Sequence, residues 1–170
     1  MITFKKCEEN DLDLLHEIAL ESYNDTYQYL WKDGGTSYLN TFYKKEIFKS
    51  ELSALDIYYF LIYEGKNAIG YFKLKKSPIE SYSADECMEL DKLYLLKKYT
   101  GKGIGKTIMN YILSFSKEKN KSILWLKVME SSPARFVYEK SGFIPINKYD
   151  LTYPEIIERY ASIITMICKI

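Results

Sequence analysis

Histidine is almost absent from this chain, and that scarcity excludes whole classes of chemistry. His16 stands alone, so no His/Cys cluster can build a zinc centre. A Ser-His-Asp hydrolase would have to recruit that one residue from an early helix, and no Gly-x-Ser-x-Gly occurs anywhere. His16 therefore reads as a helix-surface residue. Cys7, Cys87 and Cys168 are far apart and odd in number, which gives no disulfide framework and suggests reduced thiols. Lys and Arg number 24 against 23 Asp and Glu, a net charge of +1. Without a basic excess, neither nucleic acid nor a membrane surface is an expected partner. No apolar run reaches the roughly 18 residues of a membrane span. The opening Met-Ile-Thr-Phe-Lys-Lys lacks a signal-peptide core, so a cytoplasmic location is expected. Internal repeats and low-complexity linkers are missing too.

What is present suits a single domain over residues 1–170 with a full core: 47% of residues are hydrophobic and 28% charged. Ile2 to Lys6 reads as a first strand. Asn10 or Asp11 can cap a helix whose stripe is Leu12, Leu15, Ile18, Ala19 and Ser22, fading into an aromatic and polar stretch from Tyr23. After the Asp33-Gly-Gly35 turn, Thr36 can cap a second helical region that runs through Tyr38, Leu39, Phe42, Ile47 and Leu52. Ile57 to Tyr63 is rich in aromatic and branched residues and reads as a strand, with a turn at Glu64-Gly-Lys-Asn67 and a return strand to Lys75. Cys87 to Leu96 is a further strand. Ile123 to Val128, nearly all apolar, reads as a strand buried on both faces. The run Ser131-Ser-Pro-Ala opens a helix with a serine cap, and Gly142 closes it. Phe143 to Tyr149 and Tyr160 to Ile170 look extended. Strands from Glu86 and from Ile123 flank one helix and should pair in parallel.

The chain is organised around Leu93-Tyr-Leu-Leu-Lys-Lys-Tyr-Thr-Gly-Lys-Gly-Ile-Gly-Lys106. A strand passes through Gly101, Gly103 and Gly105 into a helix whose apolar face is Ile104, Ile108, Ile112 and Phe115. The first amides of a helix lack internal partners and carry the positive end of its dipole. Glycines let the backbone approach a ligand, so the turn can cradle a phosphate, with Lys98, Lys102 and Lys106 adding charge. Two nucleotide motifs that share this logic do not fit. A P-loop would need glycine at Thr100, and a dinucleotide fingerprint would need it at Lys106 or Ile108.

The same stretch resembles the Arg/Gln-x-x-Gly-x-Gly/Ala motif of GNAT-superfamily N-acetyltransferases, reading Thr100-Gly-Lys-Gly103-Ile-Gly105, with threonine at the first position. About 30 residues downstream, Ser131, Ala134, Tyr138, Gly142 and Phe143 fall at the spacing of that family's second signature, with serine where asparagine is usual. The resemblance covers nearly the whole chain. It implies an α/β fold with a GNAT-like, mixed, centrally splayed sheet flanked by helices on both faces. Acetyl-CoA is the implied cosubstrate, and no metal is expected. Its pantetheine amides would pair with the backbone at Leu93 and Leu95, beside Tyr94. Its pyrophosphate would sit on the amides of Gly101, Lys102, Gly103, Ile104, Gly105 and Lys106, with Thr100 and Ser131 at the motif ends.

Acetyl transfer needs a neutral amine, a partner for the oxyanion and an acid for the leaving thiolate. By resemblance the acid is Tyr138. A phenol titrates near 10 and a thiol near 8.5, so the phenol acts through a hydrogen bond that tightens as charge builds on sulfur. An ammonium of lysine-like acidity costs roughly 4 to 5 kcal/mol to deprotonate at pH 7. Glu89, where several protein-acetylating members of the family carry their base, is the candidate to take that proton. By strand alternation it shares a face with Asp91. Finer resemblance, in Glu89 to Leu95, the run from Tyr99 and Trp125 to Val128, is to bacterial spermidine/spermine N-acetyltransferases. The implied partner is a small-molecule amine such as spermidine or spermine, with a homodimer left open. A peptide or protein N-terminal acetyltransferase and a non-catalytic acyl-CoA sensor are the alternatives.

Overall fold

Hydrogen bonding orders seven strands as β1-β2-β3-β4-β5-β7-β6, a mixed sheet flanked by helices, in the class that the β/α order implies. The computed structural model describes all 170 residues, Met1–Ile170. Two compact units make up the chain: Met1–Leu74 with Lys92–Lys102, and Lys75–Asp91 with Gly103–Ile170.

In the first unit β1 (Ile2–Lys6) pairs antiparallel with β2 (Ile57–Glu64), from Ile2↔Glu64 to Lys6↔Phe60. A turn at Gly65, where φ is +61°, leads into β3 (Asn67–Lys75). Three helices follow β1: α1 (Leu12–Tyr27), α2 (Thr36–Phe42) and α3 (Lys45–Leu52). Leu15, Ile18, Ala19 and Tyr23 of α1 pack on Tyr43, Phe48, Tyr59, Leu61, Tyr71 and Leu96.

Four details in this unit depart from the sequence reading. The entry to α1 is secured one turn earlier, by a reciprocal cap between Glu8 and Asp11, and Lys5 reaches the Asp11 carboxylate at 2.5 Å. The helix does not fade after Ser22 but runs through Tyr27, because its aromatic residues join the tyrosine cluster. The expected helical region from Thr36 to Leu52 is two helices, broken at Tyr43 and Lys44; Asp33 rather than Thr36 caps the first, accepting from the amides of Gly35 and Ser37 at 2.9 and 2.8 Å. At the break the Tyr43 carbonyl accepts from His16 Nε2 at 2.7 Å. A carbonyl can only accept, so that nitrogen carries the proton, and His16 ties α1 to the break instead of decorating the surface.

The second unit contains the start of β4 (Cys87–Leu95), α4 (Ile104–Glu118), β5 (Ile123–Met129), α5 (Ala134–Lys140), β6 (Ile144–Asp150) and β7 (Ser162–Lys169). As expected, β4 and β5 are parallel, from Cys87↔Ile123 to Leu90↔Leu126. β7 pairs antiparallel with β5 on one side and with β6 on the other. α4 buries Ile104, Ile108, Met109 and Ile112, the 3.6-period stripe of its sequence. The cap of α5 comes from Ser132, buried, whose Oγ accepts from the Ala134 amide at 3.3 Å, while Ser131 is exposed. Gly142, at φ +94°, ends that helix in the left-handed region.

Candidate active site

The parallel ladder between β4 and β5 stops at Leu90↔Leu126, yet β4 continues to Leu95 and β5 to Met129.

Within the second unit, α4 starts at Ile104 behind Gly103, which sits at φ +76°. A Cβ at Gly103 would meet no atom within 4 Å, so sterics do not explain the glycine; the backbone conformation does. Gly105 differs. A Cβ there would lie 3.1 Å from Val137 Cγ1, so this glycine lets the first turn of α4 close on α5, one residue before Tyr138. Lys106 is exposed beside it. Tyr138 is buried, its ring 5.9 Å from that of Phe143. The amide of Phe143 donates to the Tyr138 carbonyl at 3.1 Å, which fixes the helix end that carries the phenol.

Glu89 is 6% exposed and is not a solvated strand-edge acid. The Lys75 ammonium stands 3.2 Å from its Oε2 and 3.3 Å from Asp91 Oδ1, so the two carboxylates meet on one cation, as alternation along β4 predicts. Burial pushes the Glu89 carboxyl above its ordinary range, opposed by Lys75 and reinforced by Asp91. For Lys75 burial works against the charge, but Asp91 and Glu89 outweigh it and hold the ammonium above its ordinary value. Trp125, in register with Glu89, spends its indole N–H on the Ser77 carbonyl at 2.9 Å.

In the first unit, the half-buried residues Leu93, Tyr94 and Leu95 lead into a short turn at Lys97–Tyr99. Asp25 on α1 accepts from the Lys97 amide at 2.8 Å and anchors the start of the basic loop. Thr100 donates its hydroxyl proton to the Lys97 carbonyl at 2.8 Å, so it stiffens the loop from within. Gly101 is at φ +74° with open space around it. Lys98 and Lys102 both lie over the Tyr99 ring, 5.3 and 5.0 Å from its centroid. Gly70 on β3 has a role that the sequence reading did not find. A Cβ there would fall 2.3 Å from the Tyr94 carbonyl oxygen, so β3 and the end of β4 pass in near contact. A glycine inside a strand was the available signal.

The same unit collects the tyrosines. Tyr23 lies 5.0 Å from Tyr43, 5.2 Å from Tyr38 and 6.0 Å from Tyr94, and Tyr71 is 5.8 Å from Tyr94. Burial raises the Tyr43 and Tyr94 phenols well above their ordinary range, so they stay neutral. The Lys92 ammonium rests over the Tyr43 ring at 5.3 Å. Deeper in, Lys73 reaches the Glu51 carboxylate at 2.7 Å, and the Tyr59 hydroxyl donates to the same carboxylate. No cluster of three or more metal-ligating side chains is present, and no helix is long and apolar enough to cross a membrane.

The chain is similar to known proteins in sequence and in fold. The PaiA N-acetyltransferase of Thermoplasma acidophilum, solved in complex with coenzyme A, superposes with a TM-score of 0.76 at 28% identity, covering 100% of this chain and 99% of that one. A spermidine N(1)-acetyltransferase of the same organism is 32% identical over 148 residues, 84% of this chain and 88% of its own. The alanine N-acetyltransferase of ribosomal protein bS18 from Haemophilus influenzae is 41% identical over 61 residues, 36% of this chain and 42% of its own. The model of the acetyltransferase (GNAT) family matches residues 16–143, and this chain belongs to that family, whose members carry an acetyl group from acetyl-CoA to an amine.

Proposed function

We propose that this enzyme acetylates a primary amine of a polyamine such as spermidine or spermine. The observation that carries the reading is the likeness to a spermidine N(1)-acetyltransferase across 84% of the chain. The tyrosine cluster adds physical support. It already holds one ammonium, Lys92, against a π face, and a polyamine is a chain of such cations.

Acetyl-CoA supplies the activated acyl group. The chain's own part is to hold it and to move protons. The Leu93 and Leu95 backbone would take the pantetheine amides. The amides from Gly101 to Lys106, with Lys98 and Lys102 beside them, would take the pyrophosphate. Thr100 would act through the shape of the loop. Ser131, exposed just before the α5 cap, would reach the pantetheine arm. Glu89 would accept a proton from the ammonium, directly or through water. The neutral nitrogen then forms the bond to the acyl carbon as the carbon–sulfur bond breaks. Tyr138 would donate a hydrogen bond, and finally a proton, to the departing sulfur; the nitrogen's second proton restores the phenol through solvent. Burial suits Glu89 to this task, because a carboxyl raised above its usual range is a stronger base once ionised.

The stretch shared with the ribosomal-protein alanine acetyltransferase favours one second reading, a peptide N-terminus as acceptor. The two readings separate in kcat/KM measured with spermidine, spermine and a short alanine-started peptide. Spermidine should be preferred by at least tenfold. A preference for the peptide would defeat the polyamine reading and leave acetyl transfer intact.

A further inference from the structure

We infer that Lys75, the last residue of β3, is a positioning residue for the Glu89 carboxylate, and that Asp91 sets how firmly Lys75 holds it. This rests on the proposed role of Glu89 as base.

Glu89 and Asp91 cannot both be buried as anions at this spacing without a counter-charge. Lys75 supplies it, with its side chain 32% exposed against 8% for Glu89 and 19% for Asp91. Both contacts, at 3.2 and 3.3 Å, exceed the 2.7–2.9 Å typical of a closed charge-assisted bond. The ammonium is thus divided between the two carboxylates and committed to neither.

Division matters for a base. Burial alone raises the Glu89 carboxyl and so disfavours the ionised form that can accept a proton. A cation locked onto Glu89 alone would hold it ionised but drain its basicity. Sharing with Asp91 gives an ion that is charged yet still proton-hungry. The charged groups acting on Glu89 are Lys75 from β3 and Asp91 from β4, with the Ser77 hydroxyl as a hydrogen-bonding neighbour in the loop after β3. The signs are opposite. Loss of Lys75 removes an attraction for the anion and raises the carboxyl pKa; loss of Asp91 removes a repulsion and lowers it.

Two readouts test this, one of them independent of turnover. In protein carrying 13C at the glutamate side-chain carboxyls, the Glu89 resonance, assigned by its loss in Glu89→Gln, is titrated by NMR. Lys75→Gln should move its midpoint up by about one pH unit or more, Asp91→Asn should move it down, and Lys75→Arg should restore it, since one opposite charge within 4–6 Å is worth about 1–3 units. Midpoints that stay put, or move the same way in both variants, overturn the inference whatever the activity. If Lys75→Gln does not fold, the downward shift in Asp91→Asn, present or absent, decides it. The second readout is kcat/KM with spermidine from pH 5 to pH 9. The acid-side break should follow the NMR midpoint through the series and vanish in Glu89→Gln. A break that survives in Glu89→Gln removes the base role, and the inference falls with it. A break that vanishes there but ignores Lys75 and Asp91 overturns the inference alone.

Discussion

Replacing Gly70 by alanine tests how tightly the end of β4 is held. The added Cβ would lie 2.3 Å from the Tyr94 carbonyl oxygen, 2.7 Å from Leu95 Cδ2 and 3.0 Å from Leu95 Cα. Two of these atoms are backbone, so no rotamer change relieves the clash, and the Tyr94–Leu95 segment or β3 must shift. Overpacking of this kind typically costs about 1–3 kcal/mol, and contact with backbone puts it near the top of that range. The alanine also stiffens the unfolded chain, which returns about 0.4–1 kcal/mol. The net loss is about 2 kcal/mol, a fall in Tm of roughly 4–8 °C for a chain of this size. The displaced segment is also the one proposed to pair with the pantetheine amides. Losing one such backbone hydrogen bond, about 1 kcal/mol, should weaken acetyl-CoA binding roughly fivefold. Thermal unfolding gives the first quantity and calorimetric titration the second. Gly65→Ala is the control: its φ of +61° strains an alanine but nothing lies within 4 Å, and the turn is remote in sequence from β4, so it should lose stability without losing affinity. A Gly70→Ala protein with unchanged Tm would refute the steric argument. Lost stability with unchanged affinity would instead remove Leu93–Leu95 from the cofactor site.

Gly103→Val forces a branched side chain onto a backbone at φ +76° at the start of α4, and acetyl-CoA affinity should fall tenfold or more by calorimetry; unchanged affinity in the folded variant would take the glycine turn out of cofactor binding. Tyr138→Phe keeps the ring packed near Phe143 and removes only the hydroxyl. Acetyl-CoA affinity should stay within a few-fold while kcat drops about tenfold or more, as acid catalysis is typically worth 10²–10⁴. Full turnover in that variant would make Tyr138 a packing residue.

The sequence by itself determined most of the elements and their connections, though not the break between α2 and α3. Apolar spacing at 3.6 marked α4, branched and aromatic runs marked β2 and β5, and two strands around one helix required the parallel pair β4–β5. These are local signals: periodicity and turn chemistry are written within a few residues of each other. The glycine loop was legible for the same reason, since the positive φ at Gly101 and Gly103 is a conformation that glycine adopts without steric cost. What tertiary structure decided involves partners far apart in sequence. Lys75 looked like one more strand lysine until packing placed it on Glu89 and Asp91, 14 and 16 residues away, and turned a solvated-looking acid into a buried, shared ion. His16 read as surface until the break at Tyr43, 27 residues on, offered it a carbonyl. Gly70 is a glycine because β4 passes too near for a Cβ, and a Cβ at Gly105 would press on Val137 of α5, reasons that exist only once the chain has folded. Charge states and close approaches depend on distances in space, and a one-dimensional pattern does not carry those distances.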